Sequence, residues 1–126
     1  MEVNIPEVHR ELSELYPAYE QALMDNDVET LTRLFWDSAF AMRFGVSENL
    51  YGAAEIEAFR KSRPATGLAR RIVRLDIVTF GRDFGSVTLE FERETPAKTV
   101  RGRQSQVWVR FPEGWRIVAA HVSLLP

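Results

Sequence analysis

The chain predicts an α+β domain in which N-terminal helices pack on a curved antiparallel sheet. Three observations predict it. Apolar residues recur at helical spacing through the first third of the chain. The last half alternates apolar and polar residues in four long runs. Those runs are joined by Gly81-Arg-Asp83, Pro96-Ala-Lys98 and Pro112-Glu-Gly114, short turns suited to hairpins. Helices first and hairpin-linked strands afterwards is an α+β order. A length of 126 residues with no internal repeat makes residues 1–126 a single domain.

Taken in order, Val8, Leu12, Leu15, Tyr19, Ala22 and Leu23 define the stripe of a helix over Glu7 to Asn26. Pro17 interrupts it, removes the bond to the Ser13 carbonyl and predicts a kink one turn around Tyr19. Asp25-Asn-Asp27 ends this helix and caps a short second one, Val28 to Phe35, with Glu29 and Thr30 in its first turn. Phe40–Phe44 alternates as a strand, and Asn49–Gly52 is a shorter one. Ala53–Ser62 is a third helix, using Ile56 and Phe59 and stopping before Pro64. The four long strands follow at Leu68–Phe80, Phe84–Thr95, Thr99–Phe111 and Trp115–Val122.

Composition narrows the function. There is no cysteine, which excludes disulfides and thiolate chemistry. Two histidines far apart in sequence, with no His-Glu-x-x-His spacing, argue against a metal site, and no cofactor is expected. No nucleophile elbow, Ser-x-x-Lys pair or glycine-rich phosphate loop occurs. A net charge of −2 without a nucleic-acid motif speaks against nucleic acid as a partner. The absence of a long apolar run or a signal-like start speaks against a membrane and makes the cytoplasm the expected location. Charge is nevertheless uneven. Residues 1–31 hold eight acids against Arg10, whereas Arg60 to Arg74 holds six basic residues and no acid. Fourteen of the sixteen cations are arginine, whose fork grips a carboxylate with two parallel hydrogen bonds.

The most informative stretch is Gly102 to Ser123. Gln104, Gln106 and His121 sit there among apolar residues, which is costly unless they face something polar, and a pocket is the simplest such thing. Gln104 and Gln106 share a face with Trp108, and alternation puts His121 and Ser123 with Trp115 and Ile117. His121 is either a satisfied core histidine or an acid–base group near neutral pH. His9, among charges, is expected to be exposed. On the first short strand Arg43 is flanked by the small residues Ala41 and Gly45. It must reach water, pair with an acid such as Glu48 or Glu20, or hold a ligand carboxylate. Tyr19, on the first helix, is either a core residue or a phenol whose ionisation a nearby Arg43 would favour; Tyr16 and Tyr51 are the alternative phenols.

The segments Tyr19-Glu-Gln-Ala-Leu, Asn26-Asp-Val, Leu34-Phe-Trp, Arg43-Phe-Gly and Gly102-Arg-Gln-Ser-Gln-Val-Trp-Val-Arg-Phe resemble the AtzH and HpxZ proteins over essentially the whole chain. These accompany amidase subunits in cyanuric-acid and oxalurate catabolism. The element order and the Gly-Trp-Arg-Ile…His-Val-Ser ending resemble the wider superfamily of nuclear transport factor two, ketosteroid isomerase and SnoaL-like proteins. That resemblance implies a cone-shaped, cystatin-like fold. It also implies action on a carboxylated urea, 1,3-dicarboxyurea going to allophanate by a hydrolytic or decarboxylating step. On that reading Arg43 anchors a carboxylate and Tyr19 assists breakdown, with Gln104, Gln106, His121 and Ser123 as substrate-binding residues. The other roles it leaves open are a non-catalytic subunit of an amidase and a carrier of a labile carbamate. A homodimer or tetramer is expected, pairing a sheet face that carries Trp108 and Val109 beside Arg110.

Overall fold

Pro6 opens the first helix, α1 (Pro6–Asp25), at a position where its missing N–H costs nothing. The computed structural model, which describes residues 1–126, continues with α2 (Val28–Leu34), β1 (Met42–Phe44), β2 (Asn49–Tyr51) and α3 (Ala53–Ser62). The long strands are β3 (Arg71–Phe80), β4 (Phe84–Glu94), β5 (Thr99–Phe111) and β6 (Gly114–Leu124). Helix α1 continues through Pro17 as one element. Pro17 sits on the exposed face, where a freed carbonyl can turn to solvent. Asn26 closes α1 in the left-handed conformation, and Asp27 caps α2 by accepting from the Thr30 amide.

One six-stranded sheet has the order β2-β1-β6-β5-β4-β3. Its neighbours are antiparallel except β1 and β6, which run parallel, a pairing that hairpin turns alone could not predict. The inner face packs on the helices: Val8, Leu12, Tyr16, Tyr19 and Leu23 of α1 join Val87, Leu89, Phe91, Trp108 and Ile117 in one core. Gly102 stands opposite Phe91 in the β4–β5 ladder, and a Cβ there would lie 2.2 Å from the Phe91 ring. The glycine lets that ring lie across β5.

Two faces differ from expectation. Trp108 is fully buried on the inner face, so it is not part of an exposed sheet surface. The outer face instead carries Val78, Ser86, Val107, Ala119, Met42 and Tyr51 in one cross-strand row. In β6 the register slips between Ile117 and Ala119, opposite the consecutive residues Trp108 and Val107, which makes Val118 the extra residue of a bulge. Trp115 and Ile117 therefore face inward before the bulge and Ala120 after it, while His121 is exposed on the outer face and pairs with Ser105. Strict alternation had placed His121 and Ser123 with Trp115. One extra residue reverses that assignment.

Candidate functional site

Between α1, α3, β1 and the inner sheet lies a cavity of about 200 Å³, lined by Leu23, Val46, Phe59, Leu68 and Val122 together with Arg43, Glu48, Arg63, Arg70 and Arg93. Four guanidiniums thus face one small space with a single carboxylate among them. Each arrives by a simple local rule. Arg43 lies on the inward side of β1, opposite Leu50 and Ala120. Arg93 follows Val87, Leu89 and Phe91 on the inward face of β4. Arg63 lies just past α3, at seven residues from the buried Ile56, and Arg70 at the head of β3. Arg60, four residues after Ile56, occupies a core position of α3 and is wholly buried. Asn26 ties the loop after α1 to this helix, donating to the Arg60 carbonyl at 3.0 Å and accepting from Arg63 Nε at 2.9 Å.

Charges at the two ends of the site are balanced differently. Arg70 makes a fork with Glu20, Nε to Oε2 at 2.7 Å and Nη2 to Oε1 at 2.9 Å, and also donates to Gln104 Oε1 at 2.7 Å. Gln104 Nε2 donates to the Tyr16 hydroxyl, which itself donates to Glu20, both at 2.9 Å. Every polar atom in that network has a partner. Arg43 donates to Glu48 Oε1 at 3.0 Å and lies over the Phe59 ring, but its Nε has no partner. Arg60 has no acid at all. Its Nη2 donates to the Tyr19 hydroxyl at 3.3 Å, its face lies over Phe35, and Nε and Nη1 are unpaired. Arg63 Nη2 and Arg93 Nε are unpaired as well.

Titration follows this division. Burial and the neighbouring Glu20 push the Tyr16 phenol well above its ordinary value. Burial would also raise Tyr19, but the Arg60 and Arg43 charges and the Arg60 hydrogen bond lower it instead. Burial, then repulsion from Arg60 and Arg43, lowers Arg63 to about 10. Burial also lowers Arg93, with Arg70 adding to the effect.

The sequence-predicted residues therefore part company. Arg43 lines the cavity, and Tyr19 lies beneath it in the core, packed on Tyr16, Phe35 and Trp108 rather than on the cavity wall. Gln104 is bound within the Arg70–Tyr16 network. Gln106 faces inward, accepts from Trp108 Nε1 at 2.9 Å and keeps an unpaired Nε2. His121 and Ser123 lie on the opposite face of the sheet, His121 edge-on to Phe44 at 5.9 Å. Tyr51 is exposed. His9 is half-buried, its Nε2 2.9 Å from the Ile77 carbonyl. Arg60, Arg63, Arg70 and Arg93 escaped individual notice. For the first two the signal was present, since Ile56, Phe59, Arg60 and Arg63 form one helical stripe.

An inner sheet wrapped on three helices with a polar cavity at its mouth defines a protein of the cone-shaped, cystatin-like fold class. Solved structures agree: a nuclear transport factor two-like protein from Salmonella enterica serovar Typhimurium is 21% identical, with a TM-score of 0.77 over 95% of this chain and 92% of that one. Within that class the chain belongs to the AtzH-like family, whose model matches residues 1–126. A DUF3225-family protein of unknown function from Pectobacterium atrosepticum is 47% identical, with a TM-score of 0.94 over 98% of this chain and 95% of that one. A cystatin-like fold protein from Burkholderia xenovorans is 39% identical, with a TM-score of 0.90 over 100% of this chain and 99% of that one. No curated protein matches the chain. No helix is long and apolar enough to cross a membrane.

Proposed function

We propose that the chain binds a small, multiply charged carboxylate of the carboxylated-urea class in the arginine cavity, as a ligand-binding or accessory component of an amidase system in nitrogen-compound degradation. The observation that carries this reading is the lining: Arg43, Arg63, Arg70 and Arg93 border one space, and while Glu48 pairs with Arg43 and Glu20 with Arg70, Arg63 and Arg93 have no acid. Guanidinium forks match planar carboxylates, and unpaired N–H groups on buried arginines are costly until an acceptor meets them. The volume is that of about half a dozen waters, the scale of a small organic acid. Calorimetric titration with malonate, acetate and urea tests the reading. Malonate should bind well, acetate at least tenfold more weakly, and urea not measurably; equal binding of all three would overturn it.

A second reading makes the same site an enzyme that decarboxylates or hydrolyses 1,3-dicarboxyurea toward allophanate. It is favoured by the Tyr19 hydroxyl, which accepts from Arg60 and is tuned toward easier proton release by the Arg60 and Arg43 charges. Tyr19→Phe should then keep the fold and lower turnover by about 10²-fold, the usual range for a lost acid–base group. Wild-type turnover in that variant removes Tyr19 from the mechanism.

Assembly is part of the same proposal. The outer row from Val78 to Tyr51, with Phe44 beside it, is continuous enough for two copies to pair symmetrically. Light scattering at micromolar concentration should give at least a dimer, and the monomer mass would overturn that.

A further inference from the structure

Arg60 presents an electrostatic problem that the cavity itself does not solve. Its side chain is wholly buried, yet its one hydrogen-bond partner is a phenol, and Nε and Nη1 have none. A guanidinium does not give up its proton in a protein, so this position holds a full positive charge without water or a carboxylate. No carboxylate forms an ion pair with Arg60, while Glu20 pairs with Arg70 and Glu48 with Arg43. One group in contact with Arg60 can become negative, and that is Tyr19.

We infer that Arg60 is a positioning residue that holds the Tyr19 hydroxyl from α3 and uses its oxygen as the counter-charge that the buried guanidinium otherwise lacks. The groups around Tyr19 agree from every side. Arg60 comes from α3, Arg43 from β1 and Arg70 from the head of β3, all three favouring the ionised form. On its own helix the neighbouring phenol, Tyr16, is held protonated against Glu20. Phe35 beyond α2 and Trp108 of β5 pack on the ring and carry no charge. Asn26 fixes the Arg60 backbone from the end of α1, so the two partners are anchored to each other through one short joint. Arg60 lines no part of the cavity and acts on it only through Tyr19.

The test needs no ligand, so its result is independent of what the cavity binds. Tyrosine labelled with ¹³C at Cζ gives one NMR signal for each of the three phenols, and Tyr16→Phe, Tyr19→Phe and Tyr51→Phe assign them. In the wild type, Tyr19 should ionise below Tyr51. Arg60→Met, similar in length and uncharged, should raise the Tyr19 midpoint, since burial is then opposed only by Arg43 and Arg70. Arg60→Lys should restore part of the early ionisation. A wild-type Tyr19 that ionises with or after Tyr51 overturns the inference even if no Arg60 variant folds. An unchanged midpoint in Arg60→Met overturns it too, and would hand the role to Arg43.

Discussion

Tyr16 and Tyr19 lie one helical turn apart, pack ring against ring at 5.8 Å and are equally buried, yet their hydroxyls meet opposite charges. Tyr16 donates to Glu20 and accepts from Gln104, inside a network that also neutralises Arg70. Tyr19 accepts from Arg60, which nothing neutralises. The first arrangement is a finished structural joint. In the second, the Arg60 charge has no acid and the Tyr19 hydroxyl accepts without donating to a protein group. A buried tyrosine is thus structural or functional according to the sign of the neighbour at its oxygen, not its depth.

The comparison breaks first at Glu20. Removing one partner of a buried, hydrogen-bonded pair typically costs about 3–5 kcal/mol, because the other charge stays behind. Glu20→Ala should lose that much in urea unfolding, whereas Arg60→Met, which deprives no carboxylate of its partner, should cost far less. Similar losses would mean that the two ends are balanced alike. A smaller effect sharpens the cavity end: Arg43→Lys keeps charge but loses the fork. Malonate affinity should fall about tenfold, or ~1.4 kcal/mol, with little change in melting temperature. Full affinity in the Lys variant would assign Arg43 to its Glu48 ion pair alone.

The smallest effect is in alkali. Tyr16 in the folded chain keeps its proton above its ordinary value of 10.0, while the unfolded chain has lost it. Its contribution is therefore complete below about pH 10 and fades as pH rises further. The stability gap between wild type and Tyr16→Phe should narrow between about pH 9 and about pH 11. A gap that widened there would contradict the Glu20 hydrogen bond.

Much of this was legible in the chain, for reasons that differ by element. Helix α3 and the strand β5 fell at their read boundaries because propensity, pattern and flanking breakers agreed. Arg43 was legible because small neighbours on a short strand leave an arginine no apolar cover. The inward face of β6 was not, since a bulge at Val118 has no strong sequence mark and reverses every later side chain. Arg60 was hidden by the habit of treating arginine as a solvated residue even on a core stripe.

Gly102 carries a consequence of its own. The Phe91 ring, free to lie across it, is the surface over which Arg70 and Arg93 are both held, at 4.5 Å and 5.6 Å from its centre. Both cations rest on that one ring, and its tilt depends on there being only a hydrogen atom at position 102. Any side chain there would rotate the ring and shift the two charges that rest on it. The placing of two arginines in the cavity wall is therefore set at a residue that lines no part of the cavity.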